Sequence, residues 1–197
     1  MRVDMAAFLR PTLTLPPGSS TSAAWMSAAM EDRLKPYWSI CSGTIASTLR
    51  YSNENASEKE LMHAADVAQA GDFIRSLPDG LNAYVAQGGT NFSGGQKQRL
   101  SIAKALVKKP ELYIFDDSFS ALDFKPDAAL RKALAKETKG SAVLIIAQRV
   151  STIRHANQII VLHEGRMAGI GIHDELLTDC PVYREIYESQ TKEAQES

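Results

Sequence analysis

Ser93, Gly94, Gly95 and Gln96 stand where a helical pattern begins, and their types suit one task, the holding of an anion. Ser93 immediately precedes the pattern and Gln96 follows three residues later. That is the reciprocal arrangement in which a hydroxyl and an amide side chain satisfy the first orphan N–H groups of a helix. The two glycines between them put no side chain over the backbone, at the end where a helix presents unpaired N–H groups and the positive end of its dipole. A phosphate can dock closely on such a surface, and the Ser93 hydroxyl can join it. Taken alone, four such residues also read as a plain capped turn.

A second group follows. Asp116 and Asp117 close a short apolar, aromatic and branched run, Leu112-Tyr113-Ile114-Phe115, which suits a buried parallel strand. Carboxylates at the carboxyl end of such a strand lie where open α/β sheets bind ligands. One carboxylate there can hold magnesium through its water shell, and a second can orient a water for attack on a phosphoryl group. An adjacent acidic pair after a strand is usually a solvated turn; the phosphate-type motif just upstream favours the metal reading.

The elements that must position these groups are legible in outline. After Ser93, Leu100, Ala103 and Val107 recur at helical spacing, and Lys108-Lys109-Pro110 closes the helix with cations at its negative end and a breaker. Ser57-Glu58-Lys59-Glu60 is a second capping box, opening a helix through Leu61, Ala64, Ala65 and Ala68 that stops at Gly71. Pro78-Asp79-Gly80 reads as a turn. Residues 126–139 read as a helix with Leu130, Ala133 and Leu134 inward, residues 142–147 and 158–162 as strands, and Glu164-Gly165 as a hairpin turn. Tyr183, Ile186 and Tyr187 share one face of a terminal amphipathic helix that packs onto the domain.

These segments, in this order, resemble the nucleotide-binding domain of an ATP-binding cassette (ABC) transporter of the exporter type. Residues 92–96 are similar to the signature motif, residues 113–117 to the Walker B strand, and Ser120-Ala121-Leu122-Asp123 to the D-loop. Ser42-Gly43-Thr44-Ile45 with Leu49-Arg50-Tyr51 resembles the segment after the Q-loop. Residues 145–152 resemble the H-loop, and residues 161–177 the closing hairpin and helix of exporter domains. The resemblance covers residues 42–190. It implies an α/β fold, a partial P-loop NTPase (ABC ATPase) domain with a helical subdomain at about 55–108 and a parallel-sheet core at about 109–190 that lacks the Walker A portion; residues 1–41 and 191–197 are expected to be tails. It further implies ATP and magnesium as cofactors, with Asp116 at the metal, Asp117 and Gln148 as catalytic positions, and Ser120 and Asp123 in the D-loop. Ser93, Gly94, Gly95 and Gln96 would contact the ATP of a partner subunit. The implied partners are a second nucleotide-binding subunit and a transmembrane domain, at the cytoplasmic face of a membrane.

Departures from the family pattern carry information. Where family members have Glu after the Walker B Asp this chain has Asp117, shorter by one methylene, and misplacement on that scale can cost on the order of 100-fold in rate. Gln148 replaces the H-loop His; it can hydrogen-bond but carries no positive charge. Val85-Ala86-Gln87-Gly88-Gly89 stands where exporters have a Val-Gly-Glu-Arg-Gly segment, so both charges are missing. Two weakened groups beside an intact signature motif resemble the degenerate subunit of a heterodimeric exporter.

No G-x-x-x-x-G-K-[ST] phosphate loop occurs in the chain, and Gly94-Gly95-Gln96-Lys97 does not substitute for it. Neither an adenine-stacking aromatic nor a Q-loop glutamine can be identified, so weak or absent ATP binding by the isolated chain is expected. Residues 11–22 have a linker-like composition, and residues 23–30 suit a helical turn or two. The resemblance begins abruptly at Ser42, from which a frameshift or mispredicted start in a longer gene is expected.

Composition limits the remaining classes. With 197 residues and a net charge of −1, the chain has one domain's worth of core and no bulk attraction for nucleic acid or anionic lipid. No run of about 18 apolar residues occurs. Cys41 and Cys180 read as free thiols, and His63, His155, His163 and His173 lack metal-ligand spacing. Two alternatives stay open: a non-catalytic remnant or interaction module, and a DNA-maintenance ATPase head, which the exporter-type hairpin and the lack of flanking heptads disfavour.

Overall fold

Local pairing at helix starts organises much of the chain, and the computed structural model, which describes residues 3–9, 40, 42–116 and 124–195, forms both expected capping boxes. In chain order the elements are β1 (Val3–Leu9), β2 (Gly43–Thr44), α1 (Ile45–Arg50), α2 (Glu58–Val67), α3 (Gly71–Ser76), β3 (Tyr84–Val85), α4 (Gly94–Lys108) and β4 (Leu112–Asp116). There follow α5 (Phe124–Glu137), β5 (Ala142–Ala147), α6 (Val150–Ile153), β6 (Gln158–His163), β7 (Arg166–Gly171), α7 (His173–Asp179) and α8 (Pro181–Gln195). By backbone contacts the described residues divide into a helical unit, residues 40–110 with 124–137, and a sheet unit, residues 3–9, 111–116 and 138–195.

In the helical unit α2 and α1 pack against α4. Glu60 accepts from Ser57 N at 3.0 Å while Ser57 Oγ accepts from Glu60 N at 3.3 Å, and the hydrogen bonds from Ser57, the backbone one foremost, hold the Glu60 carboxyl below its usual range. Leu61, Ala64 and Ala65 of α2 and Leu100, Ile102 and Ala103 of α4 supply the buried faces that the helical periodicity anticipates. Each large aliphatic side chain so buried stabilises by about 1.5–3 kcal/mol. Lys104 is 1 % exposed, with its ammonium 4.4 Å from the centre of the Tyr51 ring, an electrostatic contact that offsets part of its desolvation. The helix ends at Lys108; Lys109 takes a left-handed conformation (φ 49°) and donates to Leu106 O, with Pro110 after it.

Helix α5 belongs to this unit rather than to the α/β part in which its sequence position suggested it. It packs on α2, and His63 Nε2 lies 3.0 Å from Glu137 Oε2. Leu130 and Leu134 are buried as expected.

The sheet unit holds five strands in the order β4-β5-β1-β6-β7. Strand β4 pairs parallel with β5, in the register Asp116 to Ile146. The expectation of a parallel-sheet core is corrected here: the sheet is mixed, because β1 lies between β5 and β6 and runs antiparallel to both. Val3–Leu9 thus forms a central strand where the sequence suggested an unassigned tail. Its run Val-Asp-Met-Ala-Ala-Phe-Leu lacks strict alternation, and its partners are distant in sequence, so no local signal marks it. The terminal helix also exceeds expectation, running to Gln195 and so through most of the expected tail at 191–197. Residues 23–30 and Cys41 lie outside the described residues; Cys180 is a buried free thiol.

The β6–β7 hairpin turns at Glu164 and Gly165, both with positive φ (50° and 73°), the backbone twist that two-residue hairpins require. Gly169 lets β7 lie directly on α7, since a Cβ there would meet Cys180 Sγ at 2.9 Å and Leu176 Cδ2 at 3.0 Å. Among the described residues no helix is long and apolar enough to cross a membrane.

Candidate functional site

Ser93 is the N-cap of α4, with extended backbone (φ −65°, ψ 161°). Its Oγ accepts from Gln96 N at 3.3 Å, and Gln96 Oε1 accepts from Ser93 N at 2.9 Å. The box therefore uses the N–H of Gln96 and leaves those of Gly94 and Gly95 as the first-turn donors that no intrahelical carbonyl can reach. Gly94 is exposed and nothing lies within 4 Å of where its Cβ would stand. The turn sets the Ser93 hydroxyl, the first-turn amides and a helix N-terminus side by side, with open space at Gly94, a chemistry that suits an anion.

The segment leading into this turn is held by a residue that the sequence reading missed. Asn91 Oδ1 accepts from Ala86 N at 3.0 Å and its Nδ2 donates to Tyr84 O at 2.8 Å, so one side chain ties both sides of the Ala86–Asn91 loop. Phe92 N donates to Gly89 O at 3.0 Å, and the Phe92 ring lies 6.0 Å from that of Phe73, tilted by 58°. An Asn shortly before a capping box was the available signal. Within this loop Gln87–Gly89 forms a 3₁₀ turn at the position where the family's charged segment is absent.

In the sheet unit, Asp116 ends β4 and is exposed, while Tyr113 and Phe115 beneath it are buried and stacked at 6.0 Å. As the edge strand of the described sheet, β4 is less enclosed than a fully buried strand. Gln148 follows β5 two residues beyond Ile146, the register partner of Asp116, so both side chains stem from the same carboxyl edge of adjacent parallel strands. That edge is where α/β sheets place their ligands. Gln148 is exposed, and its carbonyl accepts from Gln190 Nε2 at 2.8 Å. Asp117, Ser120 and Asp123 lie outside the described residues. An exposed carboxylate at a strand end has the hard oxygen donors that magnesium takes.

Comparison with known proteins bears on the family of the chain. The ABC transporter family matches residues 23–120, beginning upstream of Ser42, where the quoted motifs start. An ABC transporter ATP-binding protein of Mycobacterium bovis is 44% identical over 158 residues, 79% of this chain and 27% of its own length. An ATP-dependent lipid A-core flippase of Chromobacterium violaceum is 41% identical over 152 residues, 77% of this chain and 26% of its own. Among solved structures, a bacterial Atm1-family ABC exporter with ATP bound superposes with a TM-score of 0.74 at 35% identity, over 77% of this chain and 27% of that one. The chain thus spans about a quarter of the length of these relatives.

Proposed function

Because this chain is an ABC transporter ATP-binding domain, homologous to those of exporters, we propose that it acts as the ATP-binding subunit of an ABC-type exporter, and that its signature turn completes the ATP site of a second nucleotide-binding subunit. The observation that carries this reading is the Ser93–Gln96 box, which closes on itself through two hydrogen bonds and leaves Gly94 exposed with open space around it. The Gly94 and Gly95 amides, the Ser93 hydroxyl and the helix dipole would bind the γ-phosphate of the partner's ATP, stabilising the negative charge that spreads over its oxygens in the transition state.

The opposite site would use this chain's own carboxyl edge. Asp116 would hold magnesium through water, and the ion would neutralise charge on the β and γ phosphates. Asp117, short of the attacking water, and Gln148, unable to carry a proton as His does, make that site one that retains nucleotide and turns it over slowly. The phosphate loop it also needs is not found in this sequence. A transmembrane domain at the cytoplasmic face of a membrane would convert the closing of the two subunits into transport. The exporter names of the flippase and the Atm1-family relative support this class over a DNA-maintenance head.

The test is ATPase activity of the assembled exporter. Replacing Ser93 by Asn should abolish turnover, since Asn still caps the helix but removes the hydroxyl, whereas Asp117→Asn should leave most of it. Equal silence of both substitutions would overturn the assignment of roles.

A further inference from the structure

One side chain far along the sequence holds both sides of the turn that carries Gln148. Gln190, on α8, donates from Nε2 to Gln148 O at 2.8 Å and accepts at Oε1 from Val150 N at 2.9 Å. An amide side chain used this way replaces a strand of backbone: donor and acceptor face the acceptor and donor of two residues in one bend. The short helix α6 needs that help. Its N-cap, Arg149, is extended (φ −94°, ψ 123°) and makes no side-chain cap, so Val150 N is an orphan donor that Gln190 satisfies from outside.

The clamp itself stands on anchored elements. Val150 and Ile153 of α6 are 2% and 1% exposed. On α8, Tyr183 is fully buried with its hydroxyl 2.8 Å from His173 Nδ1, and Arg184 donates to the carbonyls of Leu177 and Thr178 at the end of α7. Between these fixed points the Gln190 amide bridges the two sides of the bend at 148–149, at the carboxyl edge of β5, beside Asp116.

We propose that Gln190 is a positioning residue for Gln148: it fixes the backbone from which the Gln148 side chain reaches bound nucleotide, and through it the terminal helix governs how long this edge retains that nucleotide. The inference rests on the reading above, in which Gln148 is a catalytic position of this chain's own nucleotide site.

Two measurements on Gln190→Met and Gln190→Glu separate the clamp from its purpose. In the full chain, hydrogen exchange at the Val150 amide should accelerate roughly tenfold in Gln190→Met, which loses both bonds, and stay near wild type in Gln190→Glu, which keeps the acceptor. The Arg149 amide nitrogen resonance, which reports the hydrogen bond to the preceding Gln148 carbonyl, should move in both variants. A merely space-filling Gln190 would give neither pattern, and unchanged Val150 exchange in Gln190→Met overturns the clamp. In the exporter assembled with its partner, release of a fluorescent ATP analogue from this chain's site should quicken several-fold in Gln190→Met and in Gln148→Ala alike. Faster release in Gln148→Ala but not in Gln190→Met overturns the positioning role. Wild-type release in Gln148→Ala instead overturns the reading of Gln148 itself, with the exchange result left standing as a separate finding.

Discussion

Removing the Ser93 hydroxyl tests whether the signature turn is held by its capping box independently of any nucleotide. In Ser93→Ala the 3.3 Å bond from Gln96 N is lost, while the 2.9 Å bond from Ser93 N to Gln96 Oε1 survives because its donor is backbone. Half a box is therefore removed, and the loss should lie in the middle of the range for N-cap truncation, about 1 kcal/mol. For a chain of this size that corresponds to a fall in Tm of about 2–4 °C. Ser93→Asn should keep wild-type stability, and Ser93→Gly should lose only a few tenths of a kcal/mol, since both are good N-caps. Guanidinium unfolding followed by helix circular dichroism measures all three, with hydrogen exchange at Gln96 as the local reading. Equal stability of Ser93→Ala and Ser93→Asn would refute the capping argument, as would a loss in Ser93→Ala above about 3 kcal/mol. In the second case the hydroxyl must hold something besides Gln96 N.

Two further outcomes are expected from the sheet unit. Gly169→Ala would drive a methyl group to 2.9 Å from Cys180 Sγ and 3.0 Å from Leu176 Cδ2, and should destabilise by about 1–3 kcal/mol in denaturant unfolding. A neutral effect would mean that α7 is free to move off β7. The Tyr183 phenol is pushed up to about 12 by burial, with the Tyr187 and Asp174 charges adding to it. The unfolded chain ionises near the ordinary value of 10.0 while the folded one keeps its proton, so stability should be level below pH 10 and fall as the pH rises toward 12. Tyr183→Phe should remove that part of the alkaline slope, as read from unfolding midpoints at stepped pH.

What the sequence shows plainly is what is settled over three or four residues. Both capping boxes, at Ser57 and Ser93, and the Glu164-Gly165 turn form as read, because donor and acceptor lie within one turn of backbone. Inward faces of α2 and α4 follow from the 3.6-residue period. Contacts that span the chain leave no such trace. Val3–Leu9 finds its partners beyond residue 142, and the grouping of α5 with α2 depends on which faces meet, not on which are apolar. Asn91 and Gln190 act on backbone groups five to forty-two positions away, through amides that look like any surface polar residue in the sequence. At the candidate site the residue types were legible, since chemistry restricts them. The side chains that hold them in place were not, since many types can hold a loop.

The position of β1 bears on how the chain must be made. Val3 pairs with His163, and Leu9 with Val143, so this segment leaves the ribosome ahead of the whole helical unit and is paired only after it. Until β5 and β6 emerge, both hydrogen-bonding edges of β1 are exposed at once, the condition in which strands find wrong partners. Local contacts let the helical unit form early, whereas closing the sheet waits on strands far apart in the sequence. Holding chaperones, slow translation past residue 163, or a cold shock during synthesis would therefore act on this protein at the sheet first.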